Sequence, residues 1–304
     1  MNQDFDIDSI ASSLIAPDRA SEHLVIGVYG RPGVGKTTFC ASAAKVEDGK
    51  PNTLIIDTES GYRSLRGQAG VRIYRVRQWP DILKIWHLLQ ATPDMGGFEG
   101  GVIAIDTLST LVDLAVRYVA GDTKINMNRL ITSESSQATL ADYGEAGRYV
   151  LEVISKFALL GDRATIVFTM HQNRLKSQSD DAAEVIPDLT PMVYKAFRKV
   201  PDLLGYITAI GNEDPLKQGP AFTNTIHFEQ SSKFESKNRI SGRWIPAELR
   251  IPDTISNPSL RSILSRYRKS LAYQDKGKEE GKEEGKGEES PEVEETRPHP
   301  LATH

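Results

Sequence analysis

Eight residues constrain this chain more than any others. Gly30-Arg31-Pro32-Gly33-Val34-Gly35-Lys36-Thr37 fit G-x-x-x-x-G-K-[ST], the pattern of a phosphate-binding loop. The flanks agree with it. Residues 23–29 (HLVIGVY) are apolar and β-branched and read as a buried strand, and residues 38–45 read as the start of a helix. Strand, glycine-rich turn and helix together aim several backbone N–H groups and a helix N-terminus at one point. The β- and γ-phosphates of a nucleotide suit that point. Lys36 is expected on those phosphates and the Thr37 hydroxyl on Mg²⁺. Gly30 to Thr38 form the expected nucleotide-binding set.

Composition bounds the rest. The 304 residues, 39% hydrophobic and 26% charged, suit one large globular α/β domain with extensions. A single cysteine, Cys40, excludes an internal disulfide and a Cys-based zinc site. Its place one turn into the helix after the loop suits a buried thiol. The first residues are acidic and lack the apolar core of a signal peptide. No apolar run approaches membrane-spanning length, so no membrane partner and a cytoplasmic location are expected. The net charge of -4 is unevenly spread. Residues 275–304 hold ten Asp/Glu against five Lys/Arg, a net of -5, which leaves the remainder at +1.

Along the chain, strand and helix patterns alternate, which predicts an α/β fold with a mostly parallel sheet and helices on both faces. Strands are expected at 24–29, 53–57, 72–76, 102–106, 164–169 and 203–210, and helices at 36–46, 80–91, 107–119, 145–160 and 191–199. Ile82, Ile85, Trp86 and Leu89 repeat at helical spacing, as do Val150, Val153, Ile154 and Phe157. Residues 1–22 read as an extension with a short amphipathic piece from Ile7 to Leu14, 23–273 as the domain, and 274–304 as a disordered acidic tail. Two long segments lack periodicity, 121–144 and 173–191, and loops of that length inside a domain tend to be functional or mobile. Short strands are expected at 223–229 and 233–236, and a last helix at 259–273.

Three strand ends carry candidate chemistry. Residues 101–106 (GVIAID) form an apolar strand ending in Asp106, the Walker B pattern, whose carboxylate is expected to hold Mg²⁺ with Thr37. Residues 53–59 (TLIIDTE) end in two acids. Glu59 is the expected water-activating group, with Asp57 as its competitor. Residues 164–172 end in His171 and Gln172, polar groups at the right place to sense a γ-phosphate.

Together these segments resemble the core of the RecA-like ATPases over residues 23–210. The resemblance implies ATP and Mg²⁺ as cofactors and assigns the catalytic glutamate to Glu59 and the Walker B acid to Asp106. Residues 170–176 (MHQNRLK) are similar to the segment in which a glutamine couples ATP to the second DNA-binding loop, a role that maps to Gln172. The two aperiodic segments fall where that family carries its DNA-binding loops. His171 departs from the amide found in RecA itself, and the second loop is acidic at Asp180-Asp181. Residues 236–239 (SKNR) are similar to a Lys-x-Arg pair that hexameric DnaB-type helicases insert into a neighbouring subunit's ATP site. Lys237 and Arg239 are therefore expected to act in trans.

Among RecA-fold groups the chain looks like the compact phage recombination and single-strand annealing proteins. That likeness implies single-stranded DNA, further copies of the chain in a filament or ring, and a single-strand-binding protein as partners. For a phage protein, the expected location is the host cytoplasm. Lys124, Arg129, Arg174, Lys176, Lys195, Arg198 and Lys199 are candidate phosphate contacts, as is the cluster Arg63, Arg66, Arg72, Arg75 and Arg77. Tyr143, Tyr194 and Phe197 are candidate stacking faces. Two rival readings stay open: a helicase-like ring motor, and a KaiC-like regulatory ATPase that never touches DNA. A small-molecule kinase is disfavoured, because Glu59 suits water as the nucleophile and no Arg-rich lid is visible.

Overall fold

The computed structural model describes residues 21–121, 138–175, 184–211, 222–229, 231–240 and 245–284. Its centre is a parallel sheet built from β1 (Val25–Gly30), β4 (Thr53–Asp57), β5 (Val71–Arg75), β6 (Val102–Asp106), β7 (Thr165–Leu175) and β9 (Leu203–Gly211). These strands lie in the order β9-β1-β7-β6-β4-β5. β10 (Phe222–His227) and β12 (Thr254–Ser256) extend the sheet antiparallel beyond β9. β2 (Val46–Glu47) and β3 (Lys50–Pro51) form a separate hairpin, turned at Asp48 and Gly49, which both have positive φ. An Asp-Gly turn favours that geometry. The hairpin ends α1 (Lys36–Ala41) earlier than the expected 46.

Helices cover both faces, as the alternation of strand and helix requires. On one face α2 (Trp79–Ala91), α3 (Leu108–Val119), α4 (Leu140–Ala158) and α5 (Pro191–Phe197) pack on the sheet. Ile82, Leu89, Leu111, Val150 and Phe157 meet Ile103, Ile105, Ile166 and Phe168 there. On the other face α1 and α6 (Leu260–Glu284) bring Phe39, Cys40, Ile263 and Leu264 against Ile26, Val28, Ala104 and Val167. Strand residues alternate between the two cores, so β1, β4 and β6 read as continuous apolar runs. Cys40 is fully buried, and burial pushes its thiol well above the ordinary range, which leaves it inert.

Several boundaries differ from expectation. α4 starts at Leu140, not 145, because Thr139 caps it and Asp142 bonds back to the Thr139 N–H, a capping box. β7 continues to Leu175 and pairs antiparallel with β8 (Glu184–Pro187). Residues 173–175 and 184–187 of the second aperiodic segment are therefore paired strands. The expected strand at 233–236 is reduced to a bridge between Phe234 and Val185, and β11 (Lys237–Asn238) pairs with the start of β9. α6 runs past the expected end at 273 to Glu284, into residues assigned to the disordered tail. Lys and Glu are good helix formers, and lengthening an existing helix needs no new nucleus. The Ile7–Leu14 piece, Lys124, Arg129, Lys176, Asp180-Asp181 and the tail beyond 284 lie outside the described residues. Among the described residues no helix is long and apolar enough to cross a membrane.

Candidate functional site

The C-terminal ends of β1, β4 and β6 meet β7 at one cleft, which gathers the P-loop, Glu59 and Asp106. Gly30 pairs with His171 across β1 and β7, and Asp57 with Asp106 across β4 and β6. A cavity of about 280 Å³ opens there, and its lining includes Lys36, Thr37, Glu59, Gly61, Asp106 and His171. Ligand sites in parallel α/β sheets open at this edge. Gly33 and Gly35 turn the loop with φ of 77° and 90°, a region that side-chain-bearing residues rarely adopt. Lys36 is buried and its Nζ donates to the carbonyls of Gly30 and Arg31 at 3.1 and 3.0 Å. Burial pulls its pKa below the usual lysine range, while Asp106 and Glu59 act against that pull.

The two residues expected to hold Mg²⁺, Thr37 and Asp106, both line the cleft. Thr37 Oγ1 donates to Asp106 Oδ2 at 2.5 Å, and Thr169 donates to Asp106 Oδ1. Asp57 stands beside them. Its Oδ1 accepts from the Gly61 and Glu59 N–H groups at 3.0 and 3.3 Å, and its Oδ2 is buried with no partner among the described residues. A Cβ added at Gly61 would lie 3.6, 3.7 and 3.9 Å from Thr37 Oγ1, Asp106 Oδ2 and Asp57 Oδ1, so a side chain there would fill the space these oxygens face. Hard oxygen donors fit Mg²⁺. Among the described residues no cluster of three or more His, Cys, Asp or Glu could hold a metal alone. Nucleotide phosphates would complete such a site.

Glu59 is held from three sides. Its Oε1 accepts from Thr107 Oγ1 at 2.6 Å, from His171 Nε2 at 2.7 Å, and from the Thr110 hydroxyl. Burial pushes this carboxyl up, but the bonds from His171, Thr107 and Thr110 outweigh it and hold the pKa at about 2. Asp57 is shifted the other way, upward, by burial. Environments that push two neighbouring acids apart assign them different tasks. Glu59 lines the cleft as a permanent carboxylate suited to orienting water, whereas Asp57 organises the turn and the cation side.

A family model described as an AAA domain matches residues 22–240. The chain belongs to the AAA-domain family. It is an AAA-type P-loop ATPase domain with a mostly parallel sheet. No curated protein matches it in sequence. This membership is coarser than the RecA-like phage resemblance, and it carries nucleotide binding and ATPase activity without naming a nucleic acid.

The AAA domain does not bring every expected residue to the cleft. Gln172 follows His171 on β7 and projects to the opposite face, where its Oε1 accepts from Tyr206 Oη at 3.1 Å. His171, the departure from the RecA pattern, is the β7 residue that lines the cleft. Lys237 and Arg239 sit near the start of β9, toward the other edge of the sheet. Lys237 Nζ donates to the carbonyls of Arg198 and Lys199, both at 3.1 Å, and Arg239 Nη2 to that of Lys199 at 2.5 Å. Both cations point the same way, as period-two alternation predicts. They cap the end of α5 and lie outside their own chain's cleft. Burial and the neighbouring Arg239 pull the Lys237 pKa down to about 8. Phe197 is fully buried, edge-on to Phe168, and so offers no stacking face for a base. Of the five-Arg cluster, Arg75 is half-buried over Tyr62 and donates to Ser60 at 3.1 Å, while the others are exposed.

The sequence reading missed Thr107, Thr110 and Thr169 as members of the site. Their signal was present: polar side chains directly after a buried Walker B strand and on the strand beside it.

Proposed function

We propose that this ATPase couples ATP hydrolysis to the binding of single-stranded DNA, in phage-type recombination or annealing. In this reading ATP lies in the cleft with its phosphates on residues 30–38. Glu59 orients the attacking water, and Thr37 and Asp106 hold Mg²⁺. When bound, that ion supplies positive charge to the β- and γ-phosphates. Hydrolysis takes place at the interfaces of a homo-oligomer, where Lys237 and Arg239 of one copy serve the site of the next.

The observation that carries the coupling is the Glu59–His171 contact. His171 belongs to β7, which runs straight out of the cleft to Arg174 and Leu175 and returns as β8. The return is tied to the same residue: Asp188 N donates to His171 O at 2.8 Å, and Ser109 Oγ joins the His171 N–H to the Asp188 carbonyl. A shift at the γ-phosphate that moves His171 therefore moves both ends of the hairpin that carries the second candidate DNA loop. In this reading His171 takes the sensing role that the resemblance assigned to Gln172.

ATP turnover with and without single-stranded DNA, with electron micrographs of the same samples, tests the reading. Stimulation by DNA together with filaments or rings is the expected result. DNA that neither binds nor stimulates would leave a regulatory ATPase, and directional unwinding would leave a ring motor.

A further inference from the structure

A second pocket, of about 170 Å³, lies on the other side of the P-loop from Glu59. Its lining includes Val34, Phe39, Ile207, Pro258, Asn224 and Asn257. We propose that it seats the base of the bound nucleotide and that the side chains of Asn224 and Asn257 select adenine. The proposal rests on the nucleotide reading of the cleft.

Continuity is the first argument. The pocket and the cleft both touch Gly35 and Thr38. A P-loop cradles the α- and β-phosphates with its backbone, and its lysine reaches the β- and γ-phosphates. In this chain the γ end is marked by Glu59, His171 and Asp106. The α-phosphate then lies toward Thr38, and the ribose and base leave past it into the second pocket.

The chemistry of the lining is the second argument. Among the described residues no charged side chain lines this pocket, which suits a neutral ring better than a phosphate. Val34, Phe39 and Ile207 offer buried apolar surface for the ring faces. The polar residues lining it are Thr38, Asn224 and Asn257. Asn224 stands on β10 hard against the loop: its Nδ2 lies 2.9 Å from where a Cβ at Gly35 would be. Asn257, with a φ of 49°, is tied to it through its N–H, which donates to Asn224 O at 2.7 Å. Neither carboxamide hydrogen-bonds to another described residue. An amide offers one donor group and one acceptor, which matches adenine N7 and N6, whereas guanine shows two acceptors on that edge.

Displacement of a fluorescent nucleotide by ATP, by GTP and by inorganic triphosphate, each with Mg²⁺, tests this in the full chain and in Asn224→Ala and Asn257→Ala. The full chain should take ATP well ahead of GTP and triphosphate. Each substitution should shrink the ATP-to-GTP preference by about 5- to 150-fold and leave triphosphate binding as it was. That last arm separates loss of base reading from loss of fold. An unchanged ATP-to-GTP ratio in both variants, or a full chain that binds ATP no better than triphosphate, overturns the base pocket alone. A full chain that binds neither ATP nor triphosphate overturns the nucleotide reading, and the pocket falls with it.

Discussion

The two ends of the parallel sheet hold their charged groups in opposite ways. At the C-terminal ends of β1, β4, β6 and β7, the acids and Lys36 converge on a cavity, and the hydroxyls of Thr37, Thr107, Thr110 and Thr169 donate to Asp106 and Glu59. Toward the start of β9, Lys237 and Arg239 instead rest on backbone carbonyls at the end of α5. Cations there complement the carbonyls and dipole of a helix terminus. The first cluster holds a buried oxygen, Asp57 Oδ2, that has no partner among the described residues. The second already has a structural task. Convergence on a cavity therefore marks chemistry more surely than a pair of cations does.

The largest expected effect lies at the cleft. Lys36→Ala should abolish measurable nucleotide binding, read by equilibrium titration, while the fold persists by circular dichroism. Retained ATP affinity would remove the P-loop from the account.

Arg239→Ala tests the other end. If it acts in trans, turnover should fall about 10³- to 10⁵-fold, the range for such cations in other NTPases, with ATP still bound. Mixing this variant with Glu59→Gln should restore part of the activity, because some interfaces then pair an intact Glu59 with an intact Arg239. If Arg239 only caps α5, turnover should hold and stability should drop by about 1 kcal/mol, visible in a urea titration.

His171→Ala is expected to lower turnover by less than about 10²-fold, the low end for a group that itself transfers the proton, and to remove any stimulation by single-stranded DNA. Gln172→Ala should do neither. The reverse pattern would return the sensing role to Gln172.

The smallest effect is on stability against pH. Glu59 has a folded pKa of about 2, below its ordinary 4.5. A depressed carboxylate stabilises the folded state fully above its unfolded value, and that contribution is lost as pH falls toward the folded value. The stability gap between the parent and Glu59→Gln should therefore be constant above about pH 5 and should narrow between 4.5 and 2. A gap that widens on acidification would contradict the hydrogen-bonding assigned to Glu59.

Much of this contrast was legible in the sequence, for local reasons. The P-loop, Asp106 and Glu59 sit at the ends of runs so apolar and β-branched that strand and strand end could be read together. The six central strands fell within a residue or two of expectation, except at the far end of β7. What was not legible depended on which face a side chain takes. His171 and Gln172 are adjacent, so period-two alternation sends one into the cleft and the other to Tyr206, and only the register against β1 decides which. Phe197, a candidate stacking face by sequence, packs edge-on to Phe168 in the core. Asn224 and Asn257 meet at the P-loop only because β10 folds back onto β9 and β12 onto β10, long-range contacts that no spacing announces.

The central claim is that Glu59, held by Thr107, Thr110 and His171, is the group that directs water at ATP bound on the P-loop. Its most direct test is the single-turnover hydrolysis of ATP by Glu59→Gln, with binding measured on the same protein. The account predicts near-parent affinity and a rate lower by at least about 10²-fold. Hydrolysis at the parent rate with ATP bound would contradict it and pass the role to Asp57.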